Sequence, residues 1–144
     1  MDLTTTYPRS VREKYLGLVQ VARTIDKGKA DLAGKLGEYK YDCPMDQHLF
    51  EFLGTTGDAF RKAIEKGDAA TEQFVQGLIA KKSPGEIETF NREWLEHGPK
   101  PGSDGEKYFL ELRNAVAPER TDVTSWPDLL DLDEKRPVPQ RAHA

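Results

Sequence analysis

The sequence predicts an all-α protein, a single compact domain of about six to eight short helices. Three observations carry that expectation. Apolar residues recur at steps of three and four through most of the chain. Glycines, prolines and Ser-x-x-Glu pairs divide those stripes at helix-sized intervals. No run alternates polar and apolar residues far enough to build a sheet. Only Glu38–Asp42 (EYKYD) alternates, which allows one very short extended segment near 38–42.

Length and composition agree. A chain of 144 residues and 16.2 kDa has the size of one domain and can bury a full core without a disulfide or structural metal. It is 37% hydrophobic with a mean hydropathy of -0.70, so the core is modest, while 9% aromatic residues supply anchors that disordered chains lack.

The elements follow in order. Tyr7-Pro8 gives the N-terminal arm an extended approach. Ser10 and Glu13 have capping-box spacing, and Val11, Tyr15, Leu18, Ala22 and Ile25 continue at helical steps, predicting a helix from Ser10. Gly28 interrupts this stripe, so the helix either continues with a kink through Leu32 and Leu36 or restarts; Gly34 and Gly37 stop it. Asp42-Cys43-Pro44 opens the second helix, because proline fits the first helical position. Leu49, Phe50 and Leu53 form its apolar side, and Gly54 ends it. Thr55-Thr56 starts a third, with Ala59, Phe60, Ala63 and Ile64 inward as far as Gly67. A fourth begins at Asp68 or Thr71 and buries Phe74, Val75, Leu78 and Ile79. Ser83-Pro84 with Glu86 starts a fifth bearing Ile87, Phe90, Trp94 and Leu95, followed by the loop Pro99–Asp104 (PKPGSD). Ser103 and Glu106 start a sixth with Tyr108, Phe109, Leu112 and Val116, and Trp126-Pro127 opens a last short helix through Leu132. The domain is expected to span 1–136, with 137–144 (PVPQRAHA) a flexible tail that has lost apolar periodicity.

Charge narrows the partners. A formal net charge of -4 argues against nucleic acid. Residues 11–40 hold seven Lys/Arg against four Asp/Glu, whereas 86–144 hold eight against thirteen. The plain reading is that these segments complement one another; the other is that they face different partners. One cysteine excludes an internal disulfide, Met1-Asp2-Leu3-Thr4 lacks a secretory signature, and no window reaches a membrane span of ~20 apolar residues. The expected home is the cytoplasm, without membrane contact.

Several chemistries are excluded by spacing. Gly28–Lys35 (GKADLAGK) resembles a phosphate loop but has five residues between its glycines, Leu36 where a magnesium-binding hydroxyl is needed, and a helix before it. There is no GxGxxG, HExxH, GxSxG or paired CxxC, and Asp131–Glu134 lacks the rest of a calcium loop. No cofactor and no metal are expected.

What remains lies between Gln20 and Leu53. Arg23, Asp26, Lys27, Asp31 and Lys35 are spaced to form a solvated salt ladder worth about 0.2–0.5 kcal/mol per pair, or, with Lys29, an anion site. Cys43 precedes a helix N-terminus, where a thiol can serve as a nucleophile helped by Asp42, Asp46 or His48. The plainer reading is a small buried cysteine beside an exposed histidine. Asp42, Asp46 and His48 make a poor metal set, because His48 is rotated off the face the carboxylates share. Tyr39 and Tyr41 flank Lys40 and offer stacking surfaces, though such rings more often edge a core. The candidate ligand-binding residues are therefore Arg23, Asp26, Lys27, Lys35, Glu38, Tyr39, Tyr41, Asp42, Cys43 and Asp46.

Asp2-Leu3-Thr4 with Pro8-Arg9-Ser10, Ala22-Arg23-Thr24-Ile25-Asp26-Lys27, Gly37-Glu38-Tyr39 and Tyr41-Asp42-Cys43-Pro44-x-Asp46 resemble a family of small bacterial proteins catalogued as a domain of unknown function. The resemblance continues through Phe50-x-Phe52-Leu53-Gly54, Ser83-x-x-Glu86-Ile87 and Phe90-Asn91 to the stretch Trp126–Glu134. It implies a bacterial source and one stand-alone domain, and brings no catalytic residue with it. The leading expectation is a non-catalytic domain that binds a small molecule or a protein. The alternatives are a small enzyme using Cys43 or the Asp42/Asp46 carboxylates, and a subunit of a larger assembly whose contact is the acidic end with Trp126.

Overall fold

The structure, a computed structural model, describes residues 1–141. Among them are seven helices: α1 Val21–Leu32, α2 Pro44–Leu53, α3 Gly57–Glu65, α4 Asp68–Ile79, α5 Pro84–Leu95, α6 Asp104–Val116 and α7 Trp126–Asp133. Residues 38–42 are turns and irregular backbone rather than a strand, and among the described residues the β-type pairing is a lone bridge between Tyr15 and Leu18. The chain groups into two compact units, Met1–Thr89 and a second beginning at Phe90.

In the first unit the helix expected from Ser10 begins only at Val21, and residues 10–20 take another path. Tyr15 and Leu18 exchange backbone hydrogen bonds of 3.0 and 3.1 Å across Leu16 and Gly17, whose φ angles are 52° and 85°. Two successive left-handed residues make the tight turn of a hairpin, and Gly17 takes that conformation without steric cost. Ser10 serves the same turn region rather than a helix, accepting the Arg12 N–H on its Oγ at 3.1 Å. Val11 and Leu18 are nevertheless completely buried. The stripe marked burial correctly, and only its period was mistaken for a helix.

Gly28 does not interrupt α1, which runs through it to Leu32. The glycine answers to packing: a Cβ there would lie 2.4 Å from Ile64 Cδ1 and 3.3 Å from Tyr41 Cε1. The helix ends as glycine spacing predicts. Gly34 is left-handed, its N–H reaches Asp31 O, and the Lys35 N–H closes on Ala30 O at 2.8 Å, a Schellman motif. Gly54 ends α2 in the same way, with the Thr55 N–H on Phe50 O at 2.9 Å.

Thr56 caps α3 through the Ala59 N–H, and Ser83 with Glu86 forms the reciprocal capping box of α5, at 3.0 and 3.1 Å. The core of this unit centres on Phe60, completely buried, with ring centroids of Phe50 at 5.2 Å and Phe74 at 6.1 Å.

The second unit has its own small core of Phe109, Val123, Leu129 and Val138, with Trp126 edge-on to Phe109 at 5.0 Å. Ser103 and Ser125 cap α6 and α7. Of the expected flexible tail 137–144, residues 142–144 lie outside the described residues. Within 137–141, Val138 is buried in this core and Arg141 forks onto Asp128 at 3.1 Å through both nitrogens.

Candidate functional site

The candidate site is built around Asp46. Pro44 opens α2, which places Asp46 in the first turn, where a carboxylate suits the helix dipole. Its side chain is fully buried, and four donors meet it. Oδ1 accepts from the Thr24 hydroxyl at 2.7 Å and from Gln20 Nε2 at 3.2 Å. Oδ2 accepts from Lys27 Nζ at 2.8 Å and from the Asp42 N–H at 3.0 Å. An ionised carboxylate has about four acceptor positions, and all are filled. Gln20, Thr24 and Lys27 stand at steps of four and three, one polar seam along α1 facing α2. Gln20 and Thr24 carry no charge to mark them in the sequence, and they acquire a role only because α2 packs against them.

Cys43, the N-cap of α2, is half-buried, and its Sγ accepts from Lys27 Nζ at 3.2 Å. Lys27 therefore joins the carboxylate to the thiol. Asp42 has a φ of 62° and gives its backbone N–H to Asp46, while its carboxylate lies over the start of α3. A Cβ on Gly57 would be 2.6–2.8 Å from that carboxylate, so any side chain there requires the carboxylate to move. Partial burial, then Asp46 and Asp58, push the Asp42 carboxyl above its ordinary value. Tyr41 donates to Gly57 O at 2.7 Å and lies against Gly28. Burial, reinforced by Asp46 and Asp42, pushes its phenol well above the ordinary value of 10.0.

The remaining candidates separate. Buried Asp26 accepts from the backbone N–H of Arg9 at 2.8 Å and from its guanidinium at 3.1 Å twice. Arg23, also buried, donates to Arg9 O at 3.3 Å and lies 5.6 Å over the Tyr39 ring. Lys35 is exposed and 3.9 Å from Asp2, and Glu38 is exposed. Asp42, Cys43, Asp46 and Lys27 thus come together; Asp26, Arg23 and Tyr39 form a second group with Arg9; Lys35 and Glu38 belong to neither.

The salt ladder along α1 is not what forms. Its charges pair with other elements: Lys27 with Asp46, Asp26 with Arg9, Asp31 with Arg61 at 2.8 Å and Lys29 with Asp68 at 2.9 Å. The reason is position. Nine of the twelve residues of α1 are buried, Asp26 and Lys27 among them, and a desolvated charge needs a partner on whatever element covers it. The same pairing occupies Lys27 and Lys29, so the anion site does not assemble.

Two further features escaped the sequence reading. Among the described residues, a shallow groove of about 590 Å³ lies between α3 and α4, lined by Ala59, Lys62, Ala63, Lys66, Ala70, Gln73 and Phe74. In the second unit, Arg120 forks onto Asp122 at 3.0 and 3.1 Å, and the Arg141 N–H adds 2.7 Å. These contacts hold the Asp122 carboxyl well below its ordinary range, the Arg120 bond foremost. No group of three or more metal-ligating side chains occurs among the described residues, and no helix there is long and apolar enough to cross a membrane.

The chain belongs to the family described as Domain of unknown function (DUF5069), which matches residues 5–136. The comparison with curated proteins gave no match.

Proposed function

We propose that this protein is a non-catalytic interaction domain, and that it receives the apolar face of an acidic amphipathic helix in the groove between α3 and α4. The observation that most supports the reading is the saturation of Asp46. A catalytic acid or base needs a lone pair or proton open to substrate, and Asp46 has every acceptor position engaged inside the fold. Arg23 and Lys27, the cations that would have met a small ligand, are buried against partners of their own. The groove is the opposite kind of surface. Ala63, Ala70 and Phe74 give it an apolar floor, and exposed Lys62 and Lys66 stand among its lining residues. Helix-in-groove recognition uses such a floor for anchors one turn apart, and lysines beside it favour an acidic helix. The setting we infer is a bacterial cytoplasm, from the family resemblance and the single cysteine.

The test is a titration of isotope-labelled protein with a synthetic amphipathic helix of leucine and glutamate, and with the same peptide carrying lysine for glutamate. The expected result is chemical-shift change at Ala59–Lys66 and Ala70–Phe74 with the acidic peptide, weakened about tenfold by Lys62→Glu with Lys66→Glu. Shifts confined to Gln20–Asp46, equal binding of both peptides, or no binding overturn the proposal.

A second reading, a subunit of a larger assembly, draws on α6, where Tyr108 is 60% exposed and Leu110 37%. A strict monomer by sedimentation, with mass unchanged by Tyr108→Glu, would remove self-association through that face.

A further inference from the structure

The pair formed by Lys27 and Cys43 has no part in groove binding. Nζ lies 3.2 Å from Sγ, and the two side chains come from different elements, the middle of α1 and the N-cap of α2. Lys27 is only 4% exposed, and its bond to Asp46 Oδ2 at 2.8 Å holds the nitrogen facing the sulfur. Cys43 is half-buried, neither sealed in the core nor fully open to solvent. The sequence contains one cysteine, so oxidised Cys43 has no thiol in its own chain to pair with.

We propose that Lys27 and Cys43 form an oxidative modification site, in which a hydroperoxide oxidises Cys43 and Lys27 captures the product as a sulfur–nitrogen cross-link. In the first step Sγ attacks hydrogen peroxide. An S–O bond forms, the O–O bond breaks, sulfur loses two electrons, and one water leaves a sulfenic acid. In the second step the Lys27 ammonium gives up one proton, the proton that appears in the overall balance, and Nζ attacks the sulfur. The S–N bond forms, the S–O bond breaks, and the departing hydroxide takes a proton from nitrogen as a second water. Overall, thiol, ammonium and hydrogen peroxide give a sulfenamide, two waters and one proton. Backbone nitrogens capture sulfenic acids in the same way, and thiols reverse the product. The cross-link fastens α1 to the start of α2 and replaces the ammonium facing Asp46 with a neutral nitrogen.

The test is peroxide treatment of the folded protein, followed by intact mass and tryptic mapping. The expected product is lighter by about 2 Da, is not cleaved after Lys27, and reverts with dithiothreitol. Lys27→Arg keeps a cation beside the sulfur, and its oxidation is expected to stop at oxygen addition on Cys43. Wild-type protein that gains oxygen on Cys43 while Lys27 remains cleavable overturns the proposal. So does protein left unchanged by peroxide, and so does a cross-link that forms equally in urea, where no geometry holds the pair.

Discussion

Each unit of the molecule holds aspartates among basic side chains, and the two arrangements differ in kind. In the first unit Asp46 is sealed from water and bonded by one ammonium and three neutral donors. In the second, Asp122 and Asp128 are gripped by guanidinium forks from Arg120 and Arg141, whose side chains are 13% and 38% exposed. Asp122 and Asp128 are themselves buried, and the Arg141 side of its pair is what reaches solvent. Nothing can replace Lys27, because solvent does not reach the Asp46 carboxylate. The same residue classes therefore specify a core position in one unit and a latch in the other, and the burial of the cation decides which.

Paired substitutions can break that comparison. Asp46→Ala removes the acceptor shared by a buried ammonium and three neutral donors, and is expected to cost about 3–5 kcal/mol in urea unfolding followed by circular dichroism. Arg141→Ala strips two bonds from the buried Asp128 carboxylate but removes a cation that is 38% exposed, and is expected to cost about 1–3 kcal/mol, less than Asp46→Ala. Both tryptophans, Trp94 and Trp126, belong to the second unit, so their fluorescence reports the Arg141 variant directly. Equal losses in the two variants would mean that burial does not separate them.

The next largest effect concerns how close the helices of the first unit approach. Gly28→Ala puts a methyl 2.4 Å from Ile64 Cδ1 and is expected to cost about 1–3 kcal/mol as overpacking. Ile64→Val removes that carbon. The double variant should then be more stable than the sum of the two single losses, a coupling that a double-mutant cycle measures directly. Simple additivity would show that α1 has room at this point and that its glycine answers to something else.

Gly28 also shows where the sequence was legible and where it was not. Helix starts and stops written in local chemistry were read well: Pro44 at the opening of α2, Ser83 with Glu86 at α5, and Gly34 and Gly54 at the ends of α1 and α2. Each depends on a few neighbouring residues, so one stretch of sequence contains the whole cause. The turn at Leu16-Gly17 was read as helix because an apolar stripe reports burial, and several backbone paths can bury the same residues. The partners of Asp46 were half legible. Lys27 was singled out by its charge, whereas Gln20 and Thr24 matter only because α2 lies against them. A ladder along α1 and a set of cross-element pairs use the same residues, and only tertiary position chooses between them.

The smallest effects are expected in pH dependence, and they take opposite signs in the two units. Tyr41 has a raised pKa in the folded protein, because burial and then Asp46 and Asp42 disfavour its phenolate. Unfolded chains ionise the tyrosine near 10.0, so above that pH they bind fewer protons than the folded form and stability falls as pH rises. Asp122 is shifted the other way, its carboxylate held by Arg120 and by the Arg141 N–H. Its contribution is present above 3.8 and is lost as pH falls below that value toward the folded pKa. Tyr41→Phe should flatten the alkaline limb and cost about 1 kcal/mol at neutral pH through the lost bond to Gly57 O. Asp122→Asn should flatten the acid limb, followed by tryptophan fluorescence. The informative result is the crossed one: each substitution changes its own limb and leaves the other in place. If Tyr41→Phe alters the acid limb, or Asp122→Asn the alkaline one, the carboxylates of the two units are electrostatically coupled and their burial alone does not account for how they differ.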